Sequence, residues 1–68
     1  MKEIVAERIK EIRQDYKLTQ REFGKKLSVS QDTASLWEKS KAYPSTEYVI
    51  EICKTFDVSA DYLLGIVD

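Results

Sequence analysis

Four hydroxyl residues cut this chain into helices, none of which can be long. Thr19, Ser30, Ser45 and Ser59 each stand directly before a run that reads as helical. A hydroxyl in that place accepts a backbone N–H from the first turn and starts a helix there. Thr19 is followed three residues later by Glu22, whose carboxylate can reach back to the Thr19 N–H and complete a capping box. Asp32 falls in the first turn after Ser30, where the helix dipole favours an acid. Pro44 cannot sit inside a helix, so "SKAYPS" is a loop. Gly65 is a natural C-terminal stop.

Between these signals the apolar residues recur at helical spacing. Val5, Ile9, Ile12 and Tyr16 stripe the first segment, Phe23 and Leu27 the second, and Val49, Ile52, Cys53 and Phe56 the fourth. The pattern predicts helices near residues 2–16, 19–27 and 30–39, one opening after Ser45, and a short one, "ADYLL", after Ser59. Strand alternation, internal repeats and linkers are missing. The expected fold class is all-α: five short helices in one compact domain over residues 1–68.

A chain of 68 residues buries only about 60% of the surface its unfolded form exposes, so its core must be efficient or supplemented by a partner. Cys53 is the sole cysteine and histidine is absent. No internal disulfide can form, which fits a reducing, cytoplasmic setting. The commonest general base and metal ligand is missing, and one thiol cannot build a thiolate zinc site. Gly24 and Gly65, the two glycines, form no phosphate-cradling loop. We therefore expect no enzyme, no metal and no cofactor. No stretch is long and apolar enough for a membrane span, and "MKEIVAERIK" is charged throughout, unlike a secretory signal.

The formal net charge of −1 conceals a polarised chain. Residues 17–41 hold six bases (Lys17, Arg21, Lys25, Lys26, Lys39, Lys41) against three acids, net +3. Residues 42–68 hold one base against five acids, net −4, and residues 1–16 balance. A positive middle suits a polyanion, while a mixed solvated surface would also show such a distribution.

Two short helices joined by a turn of about three residues suggest a helix-turn-helix over about residues 19–39. With Ala34 and Trp37 set inward, the third helix presents Asp32, Ser35, Leu36 and Lys39 outward, with Gln31 at its front edge. That face is small and able to hydrogen-bond, as a helix entering the major groove must be. The elements "RIKEIR", "LTQREF", "KKLSVS", "LWE", Pro44 and "VSADYLLG" together extend from Arg8 to Gly65. In this combination the chain resembles the phage repressor and Cro-like (XRE-type) helix-turn-helix domains of bacterial transcriptional regulators, whose fold is lambda-repressor-like.

The resemblance implies that the second helix lies across the DNA backbone and the third enters the major groove. It assigns base-reading positions to Gln31, Asp32 and Leu36, with Ser35 beside them. It assigns backbone positions to Gln20, which also braces the reading helix, and to Thr33. Arg13 and Glu38 match an architectural salt bridge between the first and third helices, one whose burial makes either partner costly to remove alone. Lys25 and Lys26 before the reading helix, and Lys39 and Lys41 after it, are expected on phosphates. The chain departs from the family pattern at three places. Ser28 stands where a turn glycine is usual, Gly24 where a small alanine is usual, and Leu36 where a polar or basic residue is common.

Trp37 and Tyr16 are expected in the core or at its rim, and Cys53 as a buried hydrophobe. Leu36 is either an ordinary exposed leucine or a contact for a thymine methyl. Tyr43 is open between phosphate, dimer contact and loop packing. Leu63, Leu64, Ile66 and Val67 are candidates for a dimer contact, because a two-fold interface would add burial and double the DNA contacts. The expected function is sequence-specific binding of double-stranded DNA by a bacterial or phage transcriptional regulator, a repressor acting as a homodimer on a near-palindromic operator. The alternatives are the antitoxin of a toxin–antitoxin pair on the same fold, and a protein-interaction module that has lost DNA binding.

Overall fold

The computed structural model describes residues 2–66. Five helices follow one another: α1 (Lys2–Asp15), α2 (Gln20–Lys26), α3 (Gln31–Glu38), α4 (Thr46–Phe56) and α5 (Ala60–Leu63). No strand occurs among the described residues, so the chain is all-α. Each of α2 to α5 starts where its hydroxyl predicts. The side chains of Thr19, Ser30, Ser45 and Ser59 accept from the N–H groups of Glu22, Thr33, Tyr48 and Tyr62. The Thr19–Glu22 capping box is closed in both directions, at 3.1 and 2.8 Å. The Thr19 backbone N–H and hydroxyl hold the Glu22 carboxyl below its usual pKa.

The helix ends share a device that the sequence reading recognised only at Gly65 and Ser28. Lys17, Ser28, Ser40, Asp57 and Gly65 all have positive φ, between 55° and 76°. In each case the next backbone N–H reaches back five residues: Leu18 to Arg13, Val29 to Gly24, Lys41 to Leu36, Val58 to Cys53 and Ile66 to Asp61. This 6→1 bond satisfies a carbonyl that the helix end would otherwise leave unpaired. Glycine is the cheap residue for that conformation, yet four of the five helices turn on a side-chain-bearing residue.

The α1 stripe buries Val5, Ile9 and Ile12 against Phe23, Leu27, Ala34, Trp37, Ile52, Phe56 and Leu63. Phe23 and Phe56 stack with centroids 5.0 Å apart, and Tyr16 meets Phe56 edge-on at 5.0 Å. Tyr16 lies just past α1, its ring at the core rim and its hydroxyl donating to the Phe56 carbonyl at 2.7 Å. Trp37 is in the core. Cys53 is only half-buried at the core's edge, and that burial raises its thiol pKa.

Two expectations at the chain's end need correction. Leu63 is fully buried; it packs into the core of its own chain and has no surface to offer a second subunit. Leu64 is not the last residue of α5 but its cap. The short α5 is held to α1 by a polar cluster. Tyr62 donates its hydroxyl to Glu11 at 2.7 Å, and the Arg8 guanidinium lies 4.5 Å from the Tyr62 ring centre. The Tyr62 hydroxyl lowers the Glu11 pKa, and that bond raises the pKa of Tyr62.

Candidate nucleic-acid interface

The seam between α2 and α3 begins at Gly24. A Cβ built there would lie 2.7 Å from the Val29 carbonyl oxygen and 3.1 Å from that of Ser30, both backbone atoms that cannot swing aside. The glycine costs about 1 kcal/mol of helix propensity, but it lets the turn into α3 run against α2. Ser28 takes the left-handed conformation (φ 60°) in that turn, at a cost of roughly 1 kcal/mol for a residue with a Cβ.

The other end of α3 is fixed by charge. Arg13 Nε lies 2.7 Å from Glu38 Oε2 and Arg13 Nη2 lies 3.1 Å from Glu38 Oε1, a two-pronged pair between α1 and α3. The side chains are 16% and 5% exposed, so little water weakens the attraction. Arg13 Nη1 also donates to the Leu18 carbonyl at 2.9 Å, which ties in the loop before α2. Gln20 Nε2 completes the group by donating to Glu38 Oε1 at 3.3 Å. Sequence reasoning has Gln20 bracing the reading helix but does not name the partner, which is Glu38. The contact joins the first residue of α2 to the last of α3, 18 positions apart, and no spacing rule for a single helix announces it.

Held at both ends, α3 turns Ala34 and Trp37 into the core. Gln31 and Asp32 are exposed, Ser35 is half-buried, and Leu36 is 44% exposed. Among the described residues, no side-chain hydrogen bond or ion pair engages Gln31, Asp32 or Ser35. The Thr33 hydroxyl is drawn to the Ser30 cap at 3.1 Å, so it enters any backbone contact already partnered. Lys25, Lys26, Lys39 and Lys41 are all exposed. They flank α3 in sequence, two before it and two after it.

Beyond α3 lies a shallow apolar hollow of about 400 Å³, lined by Tyr43, Pro44, Thr46, Val49 and Leu64. Tyr43, in its lining, is 41% exposed, and Ile66, after α5, is 66% exposed. Val67 lies outside the described residues.

The chain is similar to the HTH-type transcriptional regulator ImmR of Bacillus subtilis, 34% identical over 61 residues, which is 90% of the chain and 48% of ImmR. It is 36% identical over 62 residues to repressor protein C2 of Salmonella phage P22, covering 91% of the chain and 29% of C2. It is 38% identical over 59 residues to the HTH-type transcriptional activator BcrR of Enterococcus faecalis, covering 87% of the chain and 29% of BcrR. The chain thus spans half or less of the length of these curated relatives. No solved structure matches it significantly. The helix-turn-helix family model matches residues 9–63, from the middle of α1 to the end of α5, and the chain belongs to that family.

Proposed function

We propose that the chain is the DNA-binding part of a bacterial or phage transcriptional regulator, a repressor that reads double-stranded DNA in sequence-specific fashion. The observation that carries this reading is α3 itself. It is pinned at both ends, and its outward Gln31, Asp32 and Ser35 are polar and uncommitted beside the exposed Leu36. Gln31 is the natural adenine reader, because a carboxamide can pair with adenine N6 and N7 together. Asp32 accepts from cytosine N4 and repels bases that present acceptors there. Ser35 adds a hydroxyl, and Leu36 packs on a thymine methyl. Phosphate attraction comes from Lys25, Lys26, Lys39, Lys41, Gln20 and Thr33. A reading helix needs no positive charge of its own when its flanks supply it, which is why a carboxylate near its front is compatible with a polyanion.

The protein acts as a homodimer on a near-palindromic operator in the cytoplasm. The apolar hollow lined by Tyr43 and Leu64, together with the exposed Ile66, supports a two-fold contact. Selection of bound duplexes from a random pool tests the proposal. Enrichment of a two-fold motif is the expected result. Failure to enrich any duplex, with stable capture of a second protein instead, would favour the antitoxin or interaction-module reading.

A further inference from the structure

Glu38 serves two partners with one carboxylate. Arg13 grips both of its oxygens, and Gln20 Nε2 donates to Oε1. The ion pair does not depend on the amide, since the Arg13 guanidinium engages the carboxylate and the Leu18 carbonyl by itself. The amide does depend on the carboxylate. The nitrogen and oxygen of a carboxamide sit on opposite arms of one plane, and only the nitrogen donates. With Nε2 turned to Glu38, a flip would set the amide oxygen against a carboxylate oxygen. The amide is therefore held in one orientation. Nε2 carries two hydrogens; one goes to Glu38 and the other remains for an acceptor.

The surroundings indicate which acceptor. Arg21 follows Gln20 and Lys39 follows Glu38, and both are exposed. The half-buried Gln20 and its partner Glu38 thus each adjoin an exposed base in sequence, which favours an anion as the acceptor. The negative charge of Glu38 does not oppose this, because its side chain is 5% exposed and neutralised by Arg13.

We propose that Glu38 is a positioning residue for DNA-backbone binding, acting through Gln20 by keeping the donor side of the amide, and not its oxygen, available to a phosphate. This role rests on the DNA-binding reading above. The test is a four-cornered comparison of wild type, Gln20→Ala, Glu38→Gln and the double variant. The probe is a duplex of random sequence at low salt, because a phosphate contact is indifferent to sequence. Gln20→Ala should weaken binding about tenfold, as expected for loss of a hydrogen bond to a charged group. Glu38→Gln, whose carboxamide can meet Gln20 with either its oxygen or its NH2 and so no longer fixes one orientation, should weaken it severalfold in the wild-type background and have no further effect once Gln20 is alanine. Its melting temperature should fall in both backgrounds, since Arg13 faces a neutral partner in both. Equal weakening of binding in the two backgrounds, or none in either, would overturn the role and show that Glu38 acts through the fold alone. If Glu38→Gln does not fold, the wild-type chain decides by NMR. One Gln20 side-chain amide proton must already lie downfield of a free glutamine amide, as a proton bonded to Glu38 does, and the other must move when the random duplex is added. Amide protons at free-glutamine positions, or ones that the duplex does not move, overturn the role. A wild type that binds no duplex at all overturns the DNA reading as well, which separates the two failures.

Discussion

The two sides of α3 are built on opposite terms. At its inner and rear side, Trp37 is buried in the core and Glu38 is gripped by Arg13 and Gln20. On its outer side, Gln31 and Asp32 stand exposed with no side-chain partner among the described residues. The first side spends its chemistry on the fold, and the second keeps its chemistry for something outside. Preorganisation of this kind lets a short helix meet a ligand without first breaking its own contacts. The difference teaches that stability and base reading should be separable along the eight positions of α3, with Glu38, which serves the fold and Gln20 together, as the residue where they meet.

The separation is broken most directly at Glu38. Glu38→Ala strands the Arg13 guanidinium against packed helices and should cost about 3 kcal/mol, a fall in melting temperature of roughly 12–24 °C for a domain this small. Glu47→Ala, an exposed acid on α4, should stay within about 0.5 kcal/mol. Thermal melts of the two variants check this, and equal shifts would mean that the rear of α3 is no more committed to the fold than its surface.

The outer side is sharpened by Asp32→Asn. The expected result is a loss of about 1–3 kcal/mol of discrimination at one symmetric base position. Stability should change by no more than ~1 kcal/mol, the value of an acid in a first helical turn. Binding to the selected operator and its single-base variants measures the first, and a melt the second. Uniformly tighter binding to every duplex would show that the carboxylate merely repels DNA.

A smaller effect is expected in the turn that sets the angle of α3. Ser28→Gly relieves a positive φ and should stabilise by roughly 0.5–1 kcal/mol, the relief in the fold being partly offset by the looser unfolded chain. Base preference should be unchanged, because the backbone path already exists. A changed preference would show that the turn residue, and not only the turn, shapes recognition.

The smallest effect concerns acid. Thr19 holds the Glu22 carboxyl below its ordinary value, and the Tyr62 hydroxyl does the same for Glu11. A carboxylate whose pKa is lower in the folded state stabilises the fold above its unfolded value, about pH 4.3. That contribution disappears as pH falls through the folded value. Glu22→Gln keeps a capping acceptor but removes the titration. Its melting temperature should therefore fall less between neutral and acid pH than that of the wild type. Melts across that range check it, and parallel curves would mean that the cap does not sense pH.

Much of this was legible in the sequence because helix starts are local. A hydroxyl and the N–H three residues on belong to one short stretch, so Thr19, Ser30, Ser45 and Ser59 announced their helices correctly. Helix ends were less legible, although they are equally local. The glycine that usually marks them appears only at Gly65, and the resemblance marks Ser28 as its stand-in, while Lys17, Ser40 and Asp57 adopt the same backbone under side chains that do not advertise it. The dimer candidates failed at Leu63 for another reason. Periodicity separates apolar from polar positions, but it does not tell which apolar residue beside a stop signal still faces its own core.

The sequence by itself determined the number of helices, their starting points, the inward stripes of the first four and the family to which their order belongs. All of these follow from interactions within a few residues or from patterns along the chain. Only the tertiary structure decided how the amide of Gln20 is turned, why Gly24 must be bare and which apolar residues remain outside. Those are settled by atoms that meet from distant positions, where a separation of a few tenths of an ångström selects a hydrogen bond or a clash, and no periodicity encodes distances that fine.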